Sequence, residues 1–251
     1  MLTFIYADES CLGNQFRDRA RPGGAGGMLE YFHPKRGWVR RDYWLAEGDT
    51  TNNRMALRSA IELLSALRKE ADVVFTSDSR YLIDGVTKWV HAWSRRGWTR
   101  KGGEIENLAL WKDLVRAAGR HRVQWCWVRG HAGHPQNEYA NHLATRAAAD
   151  QSQSGGLVES GFDDWIAAEQ DHGRYLDFLP PTPPASTSAP RDVCPPPDTL
   201  PGSGRSQPQS TSRKVLSTRS STSAIGTGRP RTDSSEPTPY SWMPHGTIAP
   251  K

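Results

Sequence analysis

A mixed α/β sheet is the fold class that this 251-residue chain predicts, and three observations carry it. Two short β-prone runs, LTFIYA at residues 2–7 and ADVVFTS at 71–77, each stop at an aspartate, Asp8 and Asp78. Between them Leu57, Ala60, Ile61, Leu64 and Leu67 recur at i, i+3, i+4, i+7 and i+10, the period of an amphipathic helix. Composition then divides the chain: eight of ten tryptophans lie between Trp38 and Trp127, and fifteen of 18 prolines between Pro180 and Pro250.

Taken in order, the run at 2–7 is a strand that ends at Asp8. GGMLEYFHPKRGWVRRDYWLAEG reads as two more strands around a turn from His33 to Gly37, giving an antiparallel start. Residues 53–69 form the amphipathic helix, with Asn52 or Asn53 as N-cap. The strand ending at Asp78 follows, then helical RYLIDGVTKWVHAW, the basic segment SRRGWTRKGGE, and a helix over 107–118. RVQWCWVRG alternates as a strand, and after GHAGHP the alanine-rich residues 137–149 are helical. Strands separated by helices in this order place the strands ending at Asp8 and Asp78 side by side and parallel.

The domain plan is a folded part at 1–150, a partly ordered extension at 151–179 with a short helix, and a tail at 180–251. The tail, rich in Pro, Ser and Thr, lacks the apolar surface to offset chain entropy and is expected to be disordered. The folded part carries 23 Lys+Arg against 17 Asp+Glu, an excess of +6, while residues 151–251 carry 9 against 10. A basic, tryptophan-rich domain suits a polyanion. Cys11, Cys126 and Cys194 have no paired spacing, so neither a disulfide framework nor a zinc site is expected. The first residues lack an export leader, and nothing approaches the ~20 apolar residues of a membrane span. A cytoplasmic monomer is the expectation.

Carboxylates at the ends of adjacent parallel strands lie where α/β sheets leave a crevice. Either aspartate alone reads equally as a strand-end carboxylate or, for Asp78, as a helix N-cap. Together, beside GHAGHP and a basic aromatic segment, they suggest a divalent-metal site acting on phosphodiesters.

ADESCLGN, TTNNRM, TSDSRYLIDGVTKWVHAWSRRGW and WVRGHAGHPQNEYANHLA resemble, in order and spacing, the motif series of bacterial-type (type I) ribonuclease H, over residues 1–149. The resemblance implies a ribonuclease H-like five-stranded mixed sheet flanked by helices, and an endonuclease that cuts the RNA strand of RNA–DNA hybrids with two Mg²⁺ or Mn²⁺ ions. Of the family's four carboxylates, Asp8 and Asp78 are present. The second falls on Ala56 and the fourth on Asn141, a weaker ligand, and the family glycine after the first aspartate is Glu9. His131 matches the histidine that shuttles a leaving-group proton. Cys11, Gly13, Asn14, Asn52 and Asn53 match contacts to the hybrid's minor groove, and Thr51 a phosphate contact.

Lys88, Trp89, Trp93, Arg95, Arg96, Trp98, Arg100 and Lys101 resemble the basic protrusion that grips the DNA strand, and Arg80 stands where the family often has an amide. Cations beside indoles suit a sugar-phosphate backbone on physical grounds as well, although Trp89 and Trp93, at helical spacing, equally suit a core. Three arginines in QFRDRAR lengthen the loop after Asn14.

Losing two charged ligands predicts weakened hydrolysis in Mg²⁺, partly restored by Mn²⁺. Two carboxylates stand near enough to be weighed as replacements. Glu9 serves only if the strand has already ended at it, since neighbouring strand residues face opposite ways. Glu138, three residues before Asn141, shares its helix face. The rival reading is a pseudoenzyme that binds hybrids without cutting them, and a third is a different nuclease or integrase on the same fold.

Overall fold

A computed structural model describes residues 1–12, 21–130 and 132–179. Gly13, Asn14, most of QFRDRAR, His131 and the tail from 180 onward lie outside the described residues.

One mixed sheet organises the fold, in the order β5-β4-β1-β2-β3-β6. Its strands are β1 (Leu2–Cys11), β2 (Gly23–His33), β3 (Gly37–Glu47), β4 (Asp72–Ser77), β5 (Arg122–Trp127) and β6 (Val158–Glu159). β1 and β2 are antiparallel, as are β2 and β3, whereas β1, β4 and β5 run parallel. The expected five strands are all present. The sixth is a two-residue strand from the extension that pairs with Arg41 and Asp42 of β3.

Three boundaries differ from the sequence expectation. β1 does not stop at Asp8: Asp8, Glu9, Ser10 and Cys11 continue the ladder against Gly26, Ala25, Gly24 and Gly23. The partner strand, which a single-run reading ignores, holds β1 extended after β4 has ended. Helix α1 (Asn52–Ser65) is capped by Thr51, not by an asparagine, with its Oγ1 accepting from Arg54 N at 3.3 Å. The N-cap position of α2 (Arg80–Asp84) falls to Ser79, not to Asp78. A π turn (Gly85–Trp89) then joins α2 to α3 (Val90–Arg95), so the long helical run of the sequence carries one extra residue in its middle.

Helices cover both faces. On one, α1 and α4 (Leu108–Ala118) bury Leu57, Leu63, Leu64, Trp111 and Leu114 against Ile5, Leu29, Val73 and Phe75. On the other lies α5 (Pro135–Asp150), pressed close to β2. The sequence GGAGG in β2 makes that approach possible: a Cβ at Gly24 would lie 2.1 Å from Ala144 O, and one at Gly26 would lie 2.4 Å from Ala140 O. Small residues on both elements, Ala140, Ala144 and Ala147 facing glycines, bring the helix backbone onto the strand.

The extension completes this second face. Helix α6 (Phe162–Asp171) buries Phe162 and Ile166 with Tyr6, Met28, Tyr139 and Leu143. Two polar links fasten it. Asp42, buried on β3, accepts from Tyr139 Oη at 2.6 Å and from Gly161 N at 3.0 Å. Arg40 bridges buried Glu30 at 2.8 Å and Asp163 at 2.7 Å. None of the described helices is long and apolar enough to cross a membrane.

Candidate metal and nucleic-acid site

The last register pair between β1 and β4 is Ala7 with Ser77. Asp8 and Asp78 are the next residue on each, so both carboxylates leave the sheet where the two strands part. Alternation sends Asp8 to the α5 face, with Tyr6, and Glu9 to the α1 face, with Ile5 and Ala7. Yet Asp8, Glu9 and Asp78 each present a carboxylate oxygen within 4.8 Å of one another. The condition set for Glu9, that the strand should already have ended, is not met, and Glu9 reaches the cluster all the same. β4 has ended there, so no neighbouring strand lies beside Glu9 on that edge of β1.

Ala56 of α1 is 1 % exposed, packs in the same cluster as Ile5 and Ala7, and offers no ligand atom.

Hydrogen bonds fix Asp8. Glu9 N donates to Oδ1 at 2.7 Å and Asn137 Nδ2 donates to Oδ2 at 3.1 Å. Burial, then the Asp78 charge, pushes the Asp8 carboxyl up to about 8, against the pull of those two donors. Glu9 is raised well above the ordinary range by burial and by Asp8 and Asp78, with a Ser79 hydrogen bond opposing. Burial raises the Cys11 thiol to about 11. Three carboxylates forced together in partial burial are short of positive charge, and a hard cation supplies it. Gly130 leaves the space, since a Cβ there would lie 2.2 Å from Asp78 Oδ2. An all-oxygen set without thiolate or imidazole fits Mg²⁺ or Mn²⁺.

Asn141 lies on α5 one turn beyond Asn137, lining a cavity of about 260 Å³ with Glu138 and with Trp165, Glu169, Arg174 and Tyr175 of the extension. Glu138 stands outside the three-carboxylate cluster, although its charge is felt at Asp8. His134 is half-buried against Tyr6, ring centroids 5.5 Å apart, and desolvation there lowers its pKa, which fits a structural residue.

The expected contact residues divide by environment. Asn52 is exposed, Asn53 and Cys11 half-buried, and Thr51 is tied up as the α1 cap. Arg54, within TTNNRM, turns back to Glu47 at 2.7 Å, and Arg58 joins the same carboxylate at 2.9 Å. Arg80 lies over the Trp127 ring, 3.5 Å from its centroid. Lys88 pairs with Asp84 at 2.7 Å and is largely exposed, as are Arg95 and Arg96. Trp89 and Trp93 are half-buried, their rings packed on Tyr81 and Trp111, and they line a cavity of about 370 Å³ with Arg100. Trp98 adopts a left-handed backbone, φ 63°, past the end of α3.

A mixed sheet with carboxylates gathered where two parallel strands part, in a chain that also carries a basic helical segment, points to a class: metal-dependent hydrolases of nucleic-acid phosphodiesters. Residues 2–149 match the RNase H family model, and the chain belongs to that family. It is 43 % identical over 152 residues to the ribonucleases H of Salmonella arizonae and Salmonella paratyphi B, spanning 59 % of this chain and 90 % of each relative. The crystal structure of LC9-RNase H1, described as a type 1 RNase H with the type 2 active-site motif, is 51 % identical with a TM-score of 0.64. That likeness covers 75 % of this chain and 96 % of the other, a larger share than the family match spans.

Proposed function

We propose that this protein is an active endonuclease that hydrolyses the RNA strand of RNA–DNA hybrids, and the observation that carries this reading is the approach of Asp8, Glu9 and Asp78 within 4.8 Å. With Glu9 in place, one of the two missing family carboxylates has a replacement from the strand side. LC9-RNase H1, 51 % identical and described as a type 1 RNase H with the type 2 active-site motif, supports the reading that this fold accepts a different active-site motif.

Asp8, Glu9 and Asp78 would hold divalent ions, Mg²⁺ or Mn²⁺, with Asn141 as a neutral fourth ligand. Bound there, the ions supply charge for the scissile phosphate and lower the pKa of an attacking water. The chain's own groups do the rest. Asn52, Asn53 and Cys11 read the minor groove, where 2′-hydroxyls mark the RNA strand, and Arg95, Arg96 and Lys88 take DNA-strand phosphates. Water adds to phosphorus opposite the 3′-oxygen, giving up a proton to solvent, and the P–O3′ bond breaks. His131 donates a proton to the leaving oxygen, giving 5′-phosphate and 3′-hydroxyl ends.

Cleavage of a labelled hybrid in Mg²⁺ and in Mn²⁺ tests the reading, run beside Glu9→Gln and the double change Ala56→Glu with Asn141→Asp. The parent is expected to cut only the RNA strand, more slowly in Mg²⁺ than in Mn²⁺, and Glu9→Gln to lose at least about 100-fold. A parent that binds hybrid without cutting it, while the double variant cuts, would establish the hybrid-binding pseudoenzyme instead.

A further inference from the structure

Asn137 belongs to no motif role assigned above, yet it is 2 % exposed and its amide is the one side-chain donor recorded on Asp8 among the described residues. Pro135 opens α5 and places Asn137 in its first turn, directly over the end of β1. The orientation of the amide follows from chemistry: an ionised carboxylate only accepts, so nitrogen faces Asp8 Oδ2 and oxygen faces away. That oxygen, Oδ1, is buried and meets no hydrogen-bond partner among the described residues. A buried acceptor left unmade costs stability, and structures keep such groups where something else uses them.

We infer that Asn137 is a positioning residue of the metal site, fixing the Asp8 carboxylate through Nδ2 and offering Oδ1 to a water carried by a bound divalent ion. With Glu9 N on Oδ1 of Asp8 and Asn137 Nδ2 on Oδ2, each oxygen of the carboxylate has one direction occupied by a donor. The remaining lone pairs are left facing the cluster. Hydrogen bonds of this kind around a ligand set its orientation. The site then uses two neutral amides, Asn137 and Asn141, one turn apart on α5, where the family uses an acidic fourth ligand. The inference rests on the proposed metal-dependent reading.

The test is Mn²⁺ binding to the full chain, measured by calorimetry and by the metal-induced rise in melting temperature. It compares the parent, Asn137→Ala, the uncharged near-isostere Asn137→Leu and, as a reference, Asp78→Asn. Hybrid affinity is measured alongside in EDTA. Both Asn137 variants are expected to bind Mn²⁺ about 10-fold or more weakly, with hybrid affinity in EDTA changed less than about twofold. Asn137→Leu nearly keeps the side-chain volume while removing both the donor and the acceptor, so it reports even where the alanine variant folds poorly. Parent-like Mn²⁺ affinity in the leucine variant, or a melting-temperature loss with unchanged Mn²⁺ affinity in either, overturns the inference and leaves the metal site standing. A parent that binds no Mn²⁺ overturns both.

Discussion

Tyr139 donates its hydroxyl to Asp42 at 2.6 Å, a bond between the helix that carries Asn137 and Asn141 and a strand on the far side of the sheet's centre. The same Asp42 oxygen accepts from Gly161 N, so one buried carboxylate joins β3, α5 and the extension. Burial raises the Asp42 carboxyl while those donors hold it down. Removing the phenol in Tyr139→Phe leaves Gly161 as a donor but strips the shortest bond from a buried acid. The expected cost is about 1–3 kcal/mol, measured by urea unfolding at neutral pH, with hybrid affinity little changed.

The extension is part of the fold that holds the site. Phe162 is fully buried, and its ring packs on Tyr139 at 5.3 Å and Phe178 at 5.7 Å. A chain ending at Leu179 is expected to melt as the full chain does. One ending at Asp150 loses Phe162 and Ile166 from the core, together with β6 and both polar links. Deleting one large buried aromatic alone costs about 3–5 kcal/mol, so the shorter chain should melt at least about 10 °C lower. Differential scanning calorimetry of the two truncations distinguishes these outcomes.

How much of this was legible in the sequence depended on whether the signal was local. The period of α1, the turn from His33 to Gly37 and the end of β4 just before Asp78 follow from short-range pattern, and the structure has all three. The end of β1 was missed because its last four residues are held by β2, a partner that no single run displays. Alternation alone puts Glu9 on the face opposite Asp8, and the gathering of its carboxylate with Asp8 and Asp78 is a tertiary feature that strand period does not display. Asn137 carried no signal that separates a ligand's support from an ordinary polar residue in a helix's first turn. Gly13, Asn14 and His131 fall outside the described residues, so their roles stand on the motif resemblance alone.

Acid should stabilise the metal-free protein. The Asp8 carboxyl is about 8 when folded against an ordinary 3.8, so between those values the folded state holds a proton that the unfolded chain releases. Stability therefore falls as pH rises from about 4 towards 8, the reverse of an ion-paired carboxylate. In EDTA the melting temperature is expected to rise as pH drops from 8 to about 5.5. Asp8→Asn should flatten the profile, and so should saturating Mn²⁺, which replaces the proton. A profile in EDTA that is unchanged by Asp8→Asn would show that other groups set it.

The basic segment divides into residues that grip and residues that support. Arg95 and Arg96 are exposed, whereas Trp93 lies 5.7 Å from Trp111 and 5.8 Å from Trp89, ring to ring. Arg95→Ala and Arg96→Ala should weaken hybrid binding in Ca²⁺ regardless of sequence, each lowering the slope of log affinity against log salt by about 1. Trp93→Ala should instead lower the melting temperature and leave that slope alone, because a packed indole does not neutralise phosphate. Equal salt slopes for parent and both arginine variants would remove this segment from the binding surface.

Ala56 and Glu9 should behave as one unit in a double-mutant cycle. Ala56→Glu alone puts a further carboxylate at a position 1 % exposed among apolar neighbours, so it is expected to destabilise by at least about 2 kcal/mol. Glu9→Gly alone should relieve repulsion among the carboxylates and raise metal-free stability while abolishing cleavage. Combined, the two changes move the carboxylate from strand to helix. Stability should recover by more than the sum of the single effects allows, a coupling of about 1–3 kcal/mol, and cleavage should return to within about tenfold of the parent. Additive effects, or a double variant with no cleavage, would mean that Glu9 does not occupy the place that the helix carboxylate left.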